Sequence, residues 1–445
     1  MLADSSLPAR RGNGDNPASL PASLDATHKG LPGPISRADL PAARWNVLAG
    51  DLPFPVAVLK QSALDHNSRW MSAFLAAAGV SLAPHGKTTM APQLFRRQIA
   101  DGCWGITVAT AQQAAVAARH GIKRILIANQ LVGRANTAIV MELLRLDPAL
   151  DLYCYVDSAA GVAQLRQVVE ATGDRAPKVL VEIGFPGGRS GCRDRLAVDQ
   201  VLDALAAAPQ LQLCGIAGYE GLIKAEDDAA SERAVLVFLD RLIEAVDLCR
   251  RRHAFRSAEQ SGAELIVSAG GSTYFDLVAQ RLFPLQQRGA FRIVIRSGCY
   301  LTHDHGIYAE DFPGLQRRIG PQLADRLGRM EPALFLWCMV QSQPEPGLAL
   351  LTLGKRDAGH DAGLPKPVML RPAAGGVSRQ LDGRWRIDRM NDQHAYLHFP
   401  DDAAVAVGDL LCLGISHPCT TFDKWRDIFV VDDDWTVTDC IPTYF

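Results

Sequence analysis

The sequence has almost no net charge and no long uninterrupted apolar segment. Its 445 residues include 46 basic and 48 acidic side chains, which gives a formal net charge of −2. Binding to nucleic acids or to anionic membranes depends on an excess of cationic charge, so this balance argues against both functions. A membrane-spanning helix needs roughly 20 apolar residues. Residues 332–340, among the longest uncharged apolar runs, are too few.

Paired cysteine motifs are also lacking. The ten cysteines are scattered from Cys103 to Cys440, and no two of them stand at CxxC spacing. This pattern is not that of a disulfide framework and is typical of reduced thiols in the cytosol. We therefore expect a cytoplasmic protein, and a chain with 48% hydrophobic residues can bury the large core of an enzyme.

The first 36 residues are rich in proline, glycine and serine and show almost no apolar periodicity. Such a segment cannot bury enough surface to offset the entropy lost on ordering it. Arg10 and Arg11 would suit a targeting peptide, but acidic residues interrupt the segment and it has no apolar h-region. We predict a disordered tail over 1–36, followed over 37–53 by a strand or linker that joins a C-terminal β domain.

Between residues 54 and 325, strand-like and helix-like segments alternate. Eight runs rich in valine, isoleucine and leucine fit strands that are buried on both faces, as in a parallel sheet. They occupy residues 80–84, 105–109, 124–129, 152–156, 178–184, 213–219, 264–268 and 292–298. The segments between them have helical periodicity, and Thr110 with Gln113 is typical of a capping box at a helix start. Eight such units predict a (β/α)8 barrel, and a doubly wound open sheet is the alternative.

After about residue 332 the pattern changes to short strand-like runs broken by glycine, proline and aspartate. They occupy residues 348–353, 385–387, 394–399, 410–415 and 428–431. This pattern predicts a separate antiparallel β domain with a metal site over 326–445. The predicted fold class is therefore α/β, with a (β/α)8 barrel followed by an antiparallel β domain.

Lys87 is the first candidate for chemistry. It lies in the segment PHGKTT at 84–89, directly after the first predicted barrel strand, and barrel active sites lie at the carboxyl ends of the strands. The Gly-Lys-Thr triplet does not indicate a P-loop, because Ser81 stands where that motif needs its first glycine. A lysine in this place can form a Schiff base, or it can be a solvated residue at the edge of a loop.

Two glycine-containing turns follow the seventh and eighth predicted strands, at residues 268–273 and 296–300. Barrels commonly bind a phosphate in this region through backbone N–H groups, although 268–273 can also be an ordinary turn. A lysine after the first strand and a phosphate cup after the last two suggest pyridoxal phosphate. Its aldehyde and phosphate would lie on opposite sides of the barrel mouth.

His417 and Cys419 form a candidate metal pair. Two residues apart on an extended segment, their side chains would point the same way and could reach one metal ion. Two protein ligands leave coordination positions open, as a catalytic site needs, although so short a pattern can also arise by chance. His303 and His305 form a rival pair, which we expect to line the pocket because it follows the second phosphate-binding turn.

Together these segments resemble the fold-type III, alanine racemase-like pyridoxal phosphate enzymes, and more closely their D-serine dehydratase and D-threonine aldolase branch. The resemblance runs from about residue 51 to the C-terminus and rests on an ordered series of segments. These are PVAVLK at 55–60, PHGKT at 84–88, VEIGFPGGRSG at 181–191, GYEG at 218–221, SAGGST at 268–273, RSGCY at 296–300 and SHPC at 416–419.

The resemblance implies site roles for nine residues. Lys87 matches the Schiff-base lysine, Arg189 an arginine beside the cofactor, and Tyr219 a residue near the pyridine ring. Four positions match the phosphate-binding backbone: Gly271, Ser272, Gly298 and Cys299. Two match the ligands of zinc or another divalent ion: His417 and Cys419. Family members are typically homodimers whose sites combine one chain's barrel with the partner's β domain.

The resemblance further implies a zinc-dependent dehydratase that converts D-3-hydroxy amino acids such as D-serine into a 2-keto acid and ammonia. The His-x-Cys pair looks like the dehydratase form, whereas the aldolase form more often has aspartate in place of the cysteine. Gly86 replaces the more usual alanine, and Thr89-Met90 replaces His-Lys, which leaves the substrate's surroundings open. A D-threonine aldolase is the closest alternative, and a racemase or a non-catalytic cofactor carrier is less favoured.

Overall fold

The chain folds around two large β-sheets in a computed structural model that describes residues 22–24, 27–271, 273–289 and 291–445. The strands are β1 Ser23–Leu24, β2 Ile35–Ser36, β3 Val56–Lys60, β4 Ser81–Leu82, β5 Ile106–Val108, β6 Arg124–Gln130, β7 Asp151–Val156, β8 Lys178–Ile183, β9 Leu213–Gly218, β10 Ile266–Ala269, β11 Arg292–Ile295, β12 Leu334–Glu345, β13 Leu348–Leu351, β14 Lys366–Arg371, β15 Arg379–Gln380, β16 Arg386–Met390, β17 Ala395–His398, β18 Leu410–Gly414, β19 Asp427–Val431 and β20 Val437–Pro442.

The helices flank these strands, and the longer ones lie between the strands of the first sheet. They are α1 Leu40–Ala43, α2 Gln61–Ala78, α3 Pro92–Ala100, α4 Ala111–Arg119, α5 Arg134–Leu146, α6 Ala159–Thr172, α7 Arg195–Ala206, α8 Asp228–Arg251, α9 Arg256–Ser261, α10 Phe275–Gln287, α11 Ile307–Ile319, α12 Pro321–Leu327 and α13 Cys419–Phe422, with 3-10 helices at Arg37–Asp39 and Gly86–Thr88. Over the described residues, none of these helices is both long and apolar enough to cross a membrane.

Eight parallel strands form the first sheet, in the order β4-β11-β10-β9-β8-β7-β6-β5. The two end strands are joined by backbone hydrogen bonds from Trp104 N to Leu82 O (2.7 Å) and from Thr107 N to Pro84 O (2.9 Å), which close the sheet into a barrel. Each of the eight predicted runs overlaps one of these strands. The barrel prediction is therefore confirmed, and the doubly wound alternative is wrong.

Side chains at the helix starts explain why several barrel helices begin where they do. Four residues accept a hydrogen bond from the backbone N–H three positions later, which satisfies a donor that the helix itself leaves free. They are Thr110, Ser158, Asp194 and Asp227. The predicted cap at Thr110 is thus present, and the side chain of Gln113 accepts from Ala109 N (2.8 Å).

The second sheet is built on the long strand β12. Its first half pairs with β3 and β18 and its second half with β13, all antiparallel. The sheet continues through β14 and β15 on one side and through β17 and β16 on the other, while β19 joins β3 to β20. The predicted antiparallel domain is confirmed, although the sequence did not reveal β12, β14, β15 or β20 as strands.

Strand β3 belongs to the second sheet, although its residues fall within the predicted barrel range 54–325. Val58 pairs with Phe335 on one side and with Phe429 on the other. An apolar run shows that a strand will be buried but not which sheet will supply its hydrogen-bonding partners. The barrel therefore begins after Lys60 and not at residue 54.

Part of the predicted disordered tail 1–36 packs on the second sheet. Leu24 and Leu31 are 3% and 4% exposed and join an apolar cluster that contains Val56 and Phe429. Two isolated leucines are too weak a periodic signal for the sequence to show this packing. Residues 1–21, 25 and 26 of the predicted tail lie outside the described residues.

The segment predicted over 37–53 as a strand or linker consists of a 3-10 turn, α1 and an irregular stretch beside β20. Val47 N donates to Trp435 O (3.1 Å), and Val437 N donates to Trp45 O (2.8 Å). These backbone hydrogen bonds attach the segment to the second sheet.

Candidate active site

A cavity of about 600 Å³ opens at the carboxyl ends of the barrel strands, where the second domain also contributes to its wall. Eight of the nine predicted site residues line it: Lys87, Arg189, Tyr219, Gly271, Gly298, Cys299, His417 and Cys419. The ninth, Ser272, lies outside the described residues. The fold thus brings together side chains that are widely separated in the sequence.

Lys87 lies in the 3-10 turn that follows β4, and two glycines allow this turn to pack closely. A Cβ on Gly86 would come within 2.7 Å of Phe95. A Cβ on Gly298 would come within 2.4 Å of the carbonyl oxygen of His85. A side chain at Gly298 would clash with backbone atoms, so only glycine fits there, whereas a side chain at Gly86 would displace the ring of Phe95. The Lys87 turn and the turn that contains Gly298 are therefore in direct backbone contact.

Arg189 and Tyr219 form a cation–π pair on one wall of the cavity, with the guanidinium carbon 4.3 Å from the ring centroid. Arg189 is carried by a loop that folds back on the end of β8. Cys192 N donates to Glu182 O (2.8 Å), and Gly184 N donates to Cys192 O (3.0 Å). Burial raises the pKa of Tyr219, so its phenol is neutral at neutral pH.

Arg296 also lines the cavity, although it is not one of the nine residues predicted from the sequence. It is 3% exposed, and it donates from Nη1 to Ser268 Oγ (2.7 Å) and from Nη2 to Gly218 O (2.6 Å). A basic residue at the start of a turn that is expected to bind phosphate is the signal that could have identified it.

His417 and Cys419 lie in the turn that enters α13, so their segment is not extended as the sequence analysis assumed. The two side chains nevertheless lie close together. His417 Nδ1 is 2.7 Å from Asp361 Oδ2. Cys419 Sγ is 3.2 Å from Thr88 Oγ1 and 3.8 Å from Cys299 Sγ. The candidate metal pair therefore contacts the residue that directly follows Lys87.

The electrostatics of the pair are those of a thiolate beside an imidazolium. Hydrogen bonds with Cys299 and then with His417 lower the pKa of Cys419. Hydrogen bonds with Cys419 and then with Asp361 raise the pKa of His417 to about 9. A thiolate and a carboxylate-oriented imidazole are common ligands of zinc. The described part of the chain contains no group of three or more His, Cys, Asp or Glu side chains that could hold a metal ion.

His303 and His305 do not line the cavity, contrary to the expectation from the sequence. His303 has a φ of 47°, so the segment is not extended and Asp304 is the residue that reaches the cavity. Burial lowers the pKa of both histidines to about 4. Asp304 Oδ1 accepts from the backbone N of Gly306 (2.8 Å) and Tyr308 (3.0 Å), and burial raises the pKa of Asp304 to about 6.

Two buried polar atoms, each on a residue that lines this cavity, have no hydrogen-bond partner among the described residues. They are His85 Nδ1 and Tyr155 Oη. Burial, followed by the positive charge of Lys87, keeps the pKa of His85 well below its usual value, so the imidazole is neutral. Buried polar groups are nearly always satisfied, so unpaired atoms in a cavity indicate where a polar ligand would bind.

Two family models match the chain, one in each domain. The model described as "Alanine racemase, N-terminal domain" matches residues 59–278. The model described as "Putative serine dehydratase domain" matches residues 333–431. The first match covers most of the barrel, and the second covers most of the antiparallel sheet.

Individual proteins are similar over most of the chain. A 3-hydroxy-D-aspartate aldolase from Paracoccus denitrificans (strain Pd 1222) is 27% identical over 321 residues, which is 71% of this chain and 75% of the relative. A D-threonine aldolase from Arthrobacter sp is 26% identical over 387 residues, 85% of this chain and 89% of the relative. The structure of D-threo-3-hydroxyaspartate dehydratase from Delftia sp. HT23 has the same fold, with a TM-score of 0.67, 22% identity, and coverage of 90% of this chain and 99% of the other.

Proposed function

We propose that this chain is a pyridoxal phosphate- and zinc-dependent lyase. It belongs to the fold-type III, alanine racemase-like pyridoxal phosphate enzymes, in the branch of D-serine dehydratases and D-threonine aldolases. Its substrates are D-3-hydroxy amino acids such as D-serine, and its products are a 2-keto acid and ammonia. The observation that carries this proposal is the 3.2 Å contact between Thr88 and Cys419, which joins the His–Cys pair to the Lys87 turn in one cavity.

The cavity fits pyridoxal phosphate. Lys87 would hold the cofactor through Nζ, the turns that contain Gly271 and Gly298 would bind its phosphate, and the Arg189–Tyr219 pair would lie beside its ring. The unpaired atoms of His85 and Tyr155 support this fit, because no described residue of the chain is their hydrogen-bond partner. When bound, the cofactor supplies an electron sink for the charge that develops at the substrate α-carbon.

Lys87 is the general base in this proposal. With the cofactor bound, Lys87 Nζ would be the group that accepts the α-proton of the substrate. Arg189 and Arg296 supply positive charge that favours the anionic groups of substrate and cofactor. Arg296 is held rigidly for this purpose by its bonds to Ser268 and Gly218.

His417 and Cys419 would hold the zinc ion, with Asp361 orienting the imidazole through Nδ1. Zinc at this place would supply Lewis acidity to the β-hydroxyl group and so make it a better leaving group.

A D-threonine aldolase is the second candidate, and the names of the two curated relatives favour it. The presence of Cys419 in the metal pair favours the dehydratase. A non-catalytic cofactor carrier would have no need of a metal pair. We further expect a homodimer, and the ten free cysteines support a reducing compartment such as the cytoplasm.

Product analysis with D-threonine separates the two lyases, because the same substrate can undergo either reaction. The full chain is loaded with pyridoxal phosphate and zinc, and the products are identified by mass spectrometry. We expect 2-oxobutanoate and ammonia. Glycine and acetaldehyde would show that the enzyme is an aldolase. The Lys87→Ala variant is the control and should form neither pair of products.

A further inference from the structure

Tyr155 is a buried tyrosine whose hydroxyl group has no hydrogen-bond partner among the described residues, and it lines the active-site cavity. The residue is 2% exposed. A buried hydroxyl without a partner destabilises the protein unless a ligand or a water molecule satisfies it. The position therefore suggests a polar group that the chain does not itself provide.

The hydroxyl lies in a region of mixed charge at the carboxyl end of β7. The charged groups that influence it are the guanidinium groups of Arg296 and Arg189 and the carboxylates of Glu182 and Glu220. Burial raises the pKa of Tyr155 to about 12, so the phenol is neutral and able to donate at neutral pH. A hydroxyl donor with two guanidinium groups in its surroundings is suited to an anionic oxygen atom.

Tyr155 is well separated from the metal pair. Strand β7 has β6 and β5 between it and β4 on one side of the barrel, and β8 to β11 on the other. Thr88 and Cys299, which contact Cys419, follow β4 and β11. The Tyr155 hydroxyl therefore belongs to the side of the cavity away from the substrate's leaving group.

We propose that Tyr155 is a cofactor-binding residue whose hydroxyl donates a hydrogen bond to an anionic oxygen of bound pyridoxal phosphate. The assignment rests on the proposed function only for the identity of the cofactor. Two kinds of oxygen have the required chemistry, the ring 3-oxygen and the phosphate. Loss of the bond to the ring oxygen would change the absorption spectrum of the bound cofactor, whereas loss of the bond to the phosphate would weaken binding alone.

The same strand offers a matched control. Tyr153 is fully buried two residues earlier, but its hydroxyl donates to Asp151 Oδ2 (3.0 Å) and lies 3.4 Å from Lys178 Nζ. Removing that hydroxyl breaks a hydrogen bond within the protein, whereas removing the hydroxyl of Tyr155 breaks no hydrogen bond between described residues. Tyr155→Phe should therefore weaken cofactor binding without lowering stability, and Tyr153→Phe should lower stability without weakening cofactor binding.

The test is titration of the cofactor-free full chain with pyridoxal phosphate, followed by absorbance and by quenching of tryptophan fluorescence. Tyr155→Phe is expected to bind about ten-fold more weakly or worse, as for loss of a hydrogen bond to a charged group. Its melting temperature without cofactor should equal or exceed that of the wild type, which shows that the variant is folded. Tyr153→Phe should keep the wild-type affinity and melt at a lower temperature.

Wild-type affinity together with a wild-type spectrum in Tyr155→Phe would overturn the proposal, and so would an effect confined to the KM of the amino acid. A lower melting temperature of the cofactor-free variant would show that the hydroxyl has a structural role instead. These readouts use the cofactor alone, so an aldolase result in the product analysis leaves them unaffected. Failure of the wild type to bind the cofactor would overturn both proposals.

Discussion

At the residue scale, Thr88 connects the two halves of the proposed chemistry. Its backbone directly follows Lys87, and its hydroxyl lies 3.2 Å from Cys419 Sγ and 3.6 Å from Cys299 Sγ. A 3-10 turn fixes the spacing between Lys87 and Thr88. The proposed base and the proposed metal pair therefore have little freedom to move relative to each other, which suits a reaction that needs a proton removed and a hydroxyl lost in one place.

Zinc binding should depend on Cys419 and, more weakly, on Asp361. Cys419→Ala removes a thiolate ligand, and Asp361→Asn removes the negative charge that orients His417. Loss of such an outer carboxylate typically costs about 10–100-fold in metal affinity, and loss of the ligand itself should cost more. Competition with a chromophoric chelator would measure both affinities.

The matched control is Cys103→Ala, because Cys103 is another free thiol but does not line the cavity. This variant should bind zinc as the wild type does. Stoichiometric, tight zinc binding by Cys419→Ala would contradict the assignment of the metal pair.

The site residues that the sequence revealed are those that lie in recognisable short segments. Lys87, His417 and Cys419 stand in such segments, and the cavity contains all three. Tyr155 and Asp361 carry no local signal, because one lies in an ordinary apolar strand and the other in an irregular loop. Their positions near the site depend on how distant segments of the chain pack together, and a single sequence does not state that packing.

At the element scale, the barrel strands were predictable and the second sheet was only partly so. A strand buried on both faces reads as a continuous apolar run, so each of β4 to β11 was visible in the sequence. The second sheet exposes one face of several strands. In the missed strands β14 and β15, for example, only Met369 and Leu370 are buried, which leaves a short, weak pattern. The membership of β3 depends on hydrogen bonds to Phe335 and Phe429, which no local pattern encodes.

The N-terminal segment should contribute measurably to stability, although its composition resembles a disordered tail. Leu31→Ala would leave a cavity in the cluster with Val56 and Phe429, and such buried leucine truncations cost about 2–5 kcal/mol. The fall in unfolding free energy would be measured by chemical denaturation of the full chain.

Leu196→Ala provides the comparison, because Leu196 is 66% exposed on α7. That variant should be as stable as the wild type. Equal stabilities of the two variants would show that residues 27–36 are not anchored in solution.

At the scale of the whole molecule, the β domain that supplies His417 and Cys419 belongs to the same chain as Lys87. The family resemblance implied that the partner's β domain would meet the barrel. Here the chain's own domain does so, through the contact of Thr88 with Cys419 and a hydrogen bond from Tyr444 N to Met90 O (2.9 Å). A dimer can still cover the mouth of the cavity, but each chain already combines the proposed base with the proposed metal pair.

This arrangement predicts that two inactive variants cannot rescue each other. In a mixed dimer of Lys87→Ala and His417→Ala, each cavity lacks either the base or one metal ligand, because both residues of a site come from one chain. Doubly tagged mixed dimers, isolated by sequential affinity steps and loaded with cofactor and zinc, should therefore be as inactive as the parent variants.

A site shared between chains would instead leave one cavity with both residues intact and restore about half of the wild-type activity per dimer, by the symmetry of a two-fold assembly. Such a recovery would show that the domains of two chains combine at the site, and it would place the metal pair opposite the partner's lysine.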